Sequence, residues 1–317
     1  MKKKAIIISL KSSFLTPYES KVIKKNRPWG IILFKRNIIS IEQTFKLVKS
    51  IKKITNDSKF PILIDEEGGK VSRLSNVMTN IFTQKYFGDL YKIDKNISAA
   101  TYENYIDSIC ILFNNLGINI NTVPVLDITK NITHKIIGDR SYSTRVSTIR
   151  TLGNICRKKY NQNKIGTVIK HIPGHGSAKS DSHLKLPIVN NTLSELKKND
   201  FKCFQNNDSF FAMTAHILYK KIDPINVSTH SKKIISEIIR KHINFKGLII
   251  SDDISMKALK HDIVTNAKKA LSAGCNLVLY CNGKTNESEK LLKSLPYIDQ
   301  FTKKKNFRIL QVFELEY

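Results

Sequence analysis

The sequence lacks the features that stabilise small secreted domains or anchor a chain in a membrane. Its 317 residues include five cysteines, an odd number without a C-x-x-C pair. This argues against a disulfide framework or a zinc ribbon and favours a reducing compartment. No apolar segment approaches the length of a membrane span. The apolar run at 5–10 is too short for the core of a signal peptide, and no small-residue cleavage site follows it. We therefore expect a cytoplasmic protein without membrane association.

Acidic side chains are also scarce. The chain has 26 of them and 53 lysines and arginines, which gives a formal net charge of +27. A nucleic-acid partner would account for such a charge. The lysines are scattered along predicted helices and loops, however, and no recognition helix, RNP-like strand or zinc-finger spacing accompanies them. We expect solvated basic faces that attract polyanions without specificity, and no specific nucleic-acid partner.

No proline-, glycine- or serine-rich linker, shift in composition or strong internal repeat divides the chain, so one domain over residues 1–317 is expected. Eight short apolar runs recur along it with helical patterns between them. Each run is almost continuously apolar, as is typical of parallel strands covered on both faces. The runs cover 4–10, 30–36, 60–67, 120–128, 166–172, 210–217, 247–253 and 276–281.

Eight parallel strands with crossovers long enough for helices predict the α/β class and a single (β/α)8 barrel of the TIM type. A doubly wound sheet is the alternative. A long insertion, 68–119, separates the third and fourth runs and contains a predicted long helix, and 285–295 is a candidate for the last helix. The basic, aromatic tail at 301–317 is ambiguous. Other segments with helical spacing of apolar residues are 41–54, 193–204 and 231–243.

Polar side chains gather at the carboxyl ends of five successive runs. In a parallel barrel these ends share one rim, where catalytic groups concentrate. A carboxylate inside an apolar strand is costly to bury, and helix capping explains one or two such residues better than it explains five strands. The residues at these ends are Asp65, Glu66, Asp127, Lys170, His171, His216, Asp252 and Asp253.

The loop after the fifth run, KHIPGHGSAKSDSHLKLP at 170–187, is rich in titratable side chains. His171 and His175 are four residues apart, which is a metal-binding spacing on a helix. Pro173 and the neighbouring glycines break any helix between them. A solvated loop would explain the lysines, but it would not explain two polar residues at the strand end. We do not expect a metal site here.

A proton-transfer role for the same loop depends on Asp181 and His183, which are two residues apart. A carboxylate on one ring nitrogen fixes the tautomer and stabilises the imidazolium, and the other nitrogen can then exchange a proton near neutral pH. Most such D-S-H triplets are surface turns. This one is of interest because Asp252, at another strand end, can face the same mouth of the barrel.

Five motifs, taken in order, resemble those of bacterial β-N-acetylhexosaminidases of glycoside hydrolase family 3. Each motif alone is modest evidence, whereas the ordered set, which spans the second to the eighth run, is highly specific. The single-domain cytoplasmic members that act in peptidoglycan recycling are the most similar group. The motifs are IDEEGGKVSRL (64–74), GDRSYS (138–143), KHIPGHGSAKSDSHLKLP (170–187), MTAHILY (213–219) and SDDISM (251–256).

The resemblance implies a role for each of eight residues. Asp252 matches the family's nucleophile, His183 its proton donor and acceptor, and Asp181 the residue that orients and tunes His183. The matches to sugar-binding positions are Asp65, Arg73, Arg140, Lys170 and His171. Two departures are Lys70, where the family usually has arginine, and Ile172, where an aromatic residue is usual.

The implied reaction is retaining exo-hydrolysis of terminal β-linked N-acetylglucosamine through a covalent glycosyl-aspartate intermediate. The implied substrate is a muropeptide of the GlcNAc-1,6-anhydro-MurNAc type, with no metal or organic cofactor. A monomer is expected, because nothing in the sequence indicates an obligate interface. Two alternatives stay open: a family 3 β-glycosidase of broader specificity, and an inactive carbohydrate- or polyanion-binding scaffold.

Overall fold

The computed structural model describes residues 2–130, 133, 137–182 and 184–312, with side chains up to residue 306. Its centre is a closed barrel of eight parallel strands, in which the first strand pairs with both the second and the last. The predicted (β/α)8 barrel is therefore confirmed. The barrel strands are β1 Lys4–Ser9, β2 Pro28–Leu33, β3 Ile62–Ile64, β4 Ile120–Asn121, β5 Gly166–Ile172, β7 Phe211–Thr214, β9 Leu248–Asp253 and β10 Leu277–Tyr280. Two short strands outside the barrel, β6 Ile188–Val189 and β8 Leu218–Tyr219, pair with each other.

Helices surround the barrel, and local sequence signals fix several of their ends. Thr16 caps the first helix in a reciprocal capping box with Glu19, and Gly117 ends the long fourth helix in the left-handed conformation. The helices are α1 Pro17–Asn26, α2 Ile41–Thr55, α3 Gln84–Ile93, α4 Lys95–Leu116, α5 Val146–Gln162, α6 Leu193–Lys198, α7 Ile263–Ala273, α8 Thr285–Ser294 and α9 Gln300–Val312, with a π-helical segment at Ile234–His242. Within the described residues, no helix combines the length and apolar character that a membrane span requires.

Two apolar layers explain why the strand sequences are continuously apolar. Alternate residues point into the barrel, where Ile7 and Trp29 lie and where the Trp29 ring meets Phe211 edge-on at 5.5 Å between centroids. The intervening residues, such as Ile6 and Ile8, pack against the helices. Because both faces of each strand are buried, no polar alternation is possible.

The fourth predicted strand is the one that differs most from the structure. The run 120–128 continues as a strand only over Ile120–Asn121. Pro124 has no N–H to donate to a ladder, and pairing resumes only as an isolated bridge between Val125 and Lys170. The helical pattern at 193–204 likewise splits into α6 and a short 3₁₀ turn at Phe201–Cys203, whereas the described part of the ambiguous tail, up to residue 312, belongs to α9.

Candidate active site

Four of the five predicted sugar-binding side chains form one connected group at the carboxyl-end rim. Asp65 follows β3 and accepts hydrogen bonds from Arg73 at 3.2 Å and from Lys170 at 3.3 Å. Lys170 lies in β5 with its side chain almost fully buried. The fifth residue, His171, comes within 3.5 Å of Arg140. The barrel therefore brings all five together, although they come from three separate segments of the chain.

Asp65 is held as a carboxylate. Burial alone would raise its pKa, but the charges of Lys170 and Arg73 and a hydrogen bond from the Thr122 hydroxyl hold the pKa well below its usual value. Thr122 also accepts a hydrogen bond from Lys170 Nζ at 2.9 Å. An ionised Asp65 can accept hydrogen bonds from hydroxyl groups, and Lys170 and Arg73 can donate to hydroxyl oxygens.

Glu67 completes this group, although the sequence analysis assigned it no role. Its buried carboxylate accepts hydrogen bonds from Arg140 Nε at 2.7 Å and Arg140 Nη2 at 2.9 Å, and it pairs with Lys170 Nζ at 2.5 Å. Burial would raise the pKa of Glu67, but the Arg140 and Lys170 charges outweigh it and lower the pKa to about 2. Glu67 thus fixes two cations of the rim at once. The adjacent acidic residues of the D-E-E-G-G run were the only signal for it.

Asp127 orients His171 from below the rim. Its fully buried carboxylate accepts hydrogen bonds from His171 Nδ1 at 2.6 Å and from the His171 backbone N–H at 3.2 Å. Burial would raise the pKa of Asp127, and the neighbouring His171 lowers it. The contact places a proton on Nδ1 and leaves Nε2 to face Arg140 and the mouth as an acceptor.

His175 braces the turn that follows β5. Its backbone N–H donates to Asp127 at 2.6 Å, and its carbonyl accepts from the Ala178 N–H at 3.1 Å. Burial lowers the pKa of the His175 ring to about 4, so the ring is neutral at physiological pH. Its contacts are those of a structural residue, in agreement with the absence of a matching catalytic position.

Asp252 and Asp253 end strand β9 on the same rim. The Asp253 backbone N–H donates to Asp252 Oδ1 at 2.8 Å. The Asp253 carboxylate accepts from the Ser255 hydroxyl at 2.6 Å, in the loop after β9, and from the Cys281 N–H at 3.2 Å, directly after β10. Buried His216 donates from Nε2 to the Asp253 carbonyl at 3.0 Å. The Asp253 carboxylate thus shapes the strand end, whereas Asp252 is the carboxylate that matches the family's nucleophile.

Asp181 lies beyond the β5 turn, and its carbonyl accepts from the N–H groups of Leu184 and Lys185 at 3.1 and 3.0 Å. These two hydrogen bonds tie Asp181 to the segment at 184–185. His183 itself lies outside the described residues, and its role as proton donor and acceptor stays a prediction.

The comparisons with known proteins identify the family of this chain. The model for the glycosyl hydrolase family 3 N terminal domain matches residues 10–312. The chain belongs to glycosyl hydrolase family 3. It is 32% identical to a β-hexosaminidase of Haemophilus influenzae over 286 residues, which is 88% of this chain and 79% of the relative.

Solved family 3 structures share the fold. NagZ from Neisseria gonorrhoeae in complex with N-trifluoroacetyl-D-glucosamine is 26% identical, with a TM-score of 0.88, and the match covers 98% of this chain and 90% of that one. A family 3 β-N-acetylglucosaminidase from Paenibacillus sp. str. FPU-7 is 26% identical, with a TM-score of 0.85. That match covers 97% of this chain but only 60% of the longer Paenibacillus chain. As a family 3 member, the chain is a glycoside hydrolase.

A cavity of about 850 Å³ opens beside the predicted sugar-binding residue Arg140, between the loop after β3 and the turn at Gly138–Arg140. Lys70, which replaces the family's usual arginine, is exposed and lines this cavity. Among the described residues, no three His, Cys, Asp or Glu side chains are placed to hold a metal ion.

Replacing Glu67 with glutamine is expected to lower the free energy of unfolding at pH 7 by about 3 kcal/mol or more, because Arg140 and Lys170 lose a buried partner. The pKa of Glu67 in the folded protein, about 2, is below its usual 4.5. The carboxylate therefore contributes stability that is present above pH 4.5 and lost as the pH falls towards 2. Denaturant unfolding at a series of pH values should show that the free energy of unfolding falls less steeply with decreasing pH in Glu67→Gln than in the wild type.

The matched control is Glu42→Gln, which removes an exposed pair with Lys46 and should change little. If Glu67→Gln were as stable as the wild type at pH 7, the rim would not depend on this carboxylate.

Proposed function

We propose that this family 3 hydrolase is a retaining exo-β-N-acetylglucosaminidase. The observation that carries the proposal is the group formed by Asp65, Arg140, Lys170 and His171, which presents fixed donors and acceptors on the same rim as Asp252. The β-hexosaminidase relative and the N-acylated glucosamine bound by NagZ support N-acetylglucosamine as the sugar.

The proposed sugar-binding groups are held in place by their own ion pairs. Lys170 is tied to Asp65, Glu67 and Thr122, and Arg140 is tied to Glu67 by two hydrogen bonds. Sugar hydroxyls can add to this network, because Asp65 has further lone pairs and His171 Nε2 can accept a hydrogen bond. Little side-chain freedom remains to be lost when a sugar binds, which favours affinity and orientation.

In the first chemical step, a carboxylate oxygen of Asp252 attacks the anomeric carbon and forms a glycosyl ester. The bond from that carbon to the leaving oxygen breaks, and His183 gives its proton to this oxygen. Asp181 orients the imidazole and stabilises its charged form. Most retaining glycosidases use a second carboxylate for the proton. An imidazole, with an unperturbed pKa of about 6.5, is closer to working pH.

In the second step, His183 takes a proton from water, and the water oxygen attacks the same carbon. The ester bond breaks, and Asp252 recovers its carboxylate. Each displacement inverts the anomeric centre, so the product retains the β configuration. No step in this scheme requires a metal or an organic cofactor.

The natural substrate we propose is a muropeptide of the GlcNAc-1,6-anhydro-MurNAc type, hydrolysed in the cytoplasm by a single-domain monomer during peptidoglycan recycling. The similarity of the motifs to those of the cytoplasmic recycling enzymes supports this assignment. All five cysteines are free thiols, which fits a reducing compartment.

A panel of chromogenic glycosides tests the activity. The β-N-acetylglucosaminide should be hydrolysed with a kcat/KM at least about tenfold above that of the β-glucoside, since the acetamido group adds contacts that glucose lacks. Equal turnover of the two would favour a β-glycosidase of broader specificity. Salt-sensitive binding of polyanions without turnover of any glycoside would favour an inactive scaffold.

A further inference from the structure

Three buried or half-buried side chains clamp the base of the loop that leads to Asp181 and His183. Asp200, at the end of the α6 region, is fully buried. Its carboxylate accepts from the Ser177 N–H and the Ser177 hydroxyl, both at 2.9 Å, and it pairs with Lys130 Nζ at 2.5 Å. Lys130 Nζ also donates to the Ser177 hydroxyl at 2.6 Å. We name Lys130, Ser177 and Asp200 the loop clamp.

The loop backbone lies directly against the clamp, and two glycines make this possible. Gly174 has φ +144°, and a Cβ there would lie 2.8 Å from the Asp200 Cβ. A Cβ on Gly176 would overlap with the Ile128 carbonyl oxygen and lie 3.1 Å from Asp200 Oδ1. No side chain fits between the loop and Asp200, so the carboxylate determines where this part of the backbone lies.

The clamp also joins separate segments of the rim. Lys130 belongs to the loop after β4, Ser177 to the loop after β5, and Asp200 to the turn after α6. Thr133, from the same loop as Lys130, donates a hydrogen bond to the Gly176 carbonyl at 2.5 Å. Ser177, the clamp residue on this loop, lies four residues before Asp181 and six before His183 in the sequence, so the clamp fixes the backbone shortly before the D-S-H triplet.

We propose that Asp200, charged and held by Lys130, is a positioning residue for the proton-transfer pair Asp181–His183. This inference rests on the proposed function, because it assigns Asp200 an effect on the step that His183 performs. A displacement of about 1 Å in a catalytic group can cost on the order of 10²-fold in rate even when the substitution is remote from the chemistry. Asp200 itself is buried beneath the loop and does not touch the reacting atoms.

The test compares two leaving groups in Asp200→Asn, which keeps the shape of the side chain but removes its charge. A dinitrophenyl N-acetylglucosaminide loses its aglycone without protonation, whereas an alkyl N-acetylglucosaminide requires the acid. We expect kcat/KM for the alkyl glycoside to fall about 10- to 100-fold and that for the dinitrophenyl glycoside to fall less than about threefold. Binding of N-acetylglucosamine should be unchanged, because the clamp does not contact the sugar-binding group.

Two further variants distinguish a positioning effect from a general defect in folding. Ser177→Ala keeps the Lys130–Asp200 pair but loses the hydroxyl link to the loop, and it should show a smaller loss with the same leaving-group dependence. Asp57→Asn is the matched control, because it removes a Lys–Asp pair of 2.8 Å with Lys3 in the turn before β3, away from the clamp. It should show no leaving-group dependence.

Equal losses on both glycosides in Asp200→Asn and Ser177→Ala would overturn the inference, because a general structural defect slows every substrate alike. An unchanged kcat/KM for the alkyl glycoside in folded Asp200→Asn would overturn it as well. Failure of the proposed function has a different signature, since the wild-type protein would then hydrolyse neither N-acetylglucosaminide.

Discussion

Asp252→Ala is expected to reduce hydrolysis of a chromogenic N-acetylglucosaminide by at least about 10⁴-fold, which is the scale of loss when a catalytic nucleophile is removed. Without the carboxylate no glycosyl ester can form, and water must attack the anomeric carbon unaided. The neighbouring Asp253 cannot take over, because hydrogen bonds from Ser255 and Cys281 hold its carboxylate in place. Steady-state kinetics on folded protein would measure the loss.

Asp262→Ala is a suitable control for this variant. Asp262 is an exposed cap of α7, the helix that follows β9, and accepts from the Val264 and Thr265 N–H groups. The substitution removes a carboxylate from the same β/α unit and should leave kcat/KM unchanged. A fluorosugar substrate gives a second measurement, since peptide mass spectrometry should find the label on Asp252. Wild-type turnover by Asp252→Ala, or a trapped enzyme with Asp252 unlabelled, would contradict the assignment.

His183→Ala is expected to lower kcat/KM for an alkyl N-acetylglucosaminide by about 10²- to 10⁴-fold, the usual contribution of a general acid. The kcat/KM for the dinitrophenyl glycoside should change little, because its leaving group needs no proton in the first step. The wild-type kcat/KM should fall at high pH as the imidazole loses its proton, and this limb should vanish in the variant.

His261→Ala, which removes an exposed histidine before α7, is the control for His183 and should keep the high-pH limb of the profile. A loss that is equal for the two leaving groups would show that His183 has no role in donating the proton. The same pattern of leaving-group dependence, at smaller amplitude, is what the loop clamp predicts for Asp200→Asn.

The barrel was predictable because strand burial leaves a simple trace in the sequence. All eight apolar runs are barrel strands in the predicted order, and β5 has the predicted bounds, Gly166–Ile172. Strand ends were harder to place, since they depend on single residues. Pro124 ends the pairing of β4 early, and the small sheet of β6 and β8 has two residues per strand, too few for any periodicity to appear.

The rim was predictable only where a residue stands directly at a strand end or in a motif. Asp65, Lys170, His171 and Asp252 met that condition. The structure places Lys170 in contact with Asp65, and His171 within 3.5 Å of Arg140. Glu67 was missed because its importance depends on Arg140, which lies 73 residues further along the chain. Asp200 was missed for the same reason, since its partners at 130 and 177 come together only through the fold.

The pairing of Asp127 with His171 and of Glu67 with Lys170 limits how the specificity of this enzyme can be redesigned. A new hydroxyl pattern would ordinarily be accommodated by exchanging one of the proposed sugar-binding residues, His171 or Lys170, alone. Either exchange removes a basic partner from a buried carboxylate, since Asp127 would lose the His171 ring and Glu67 would lose Lys170. Libraries that vary each carboxylate together with its basic partner should therefore yield more folded variants than libraries that vary one position at a time.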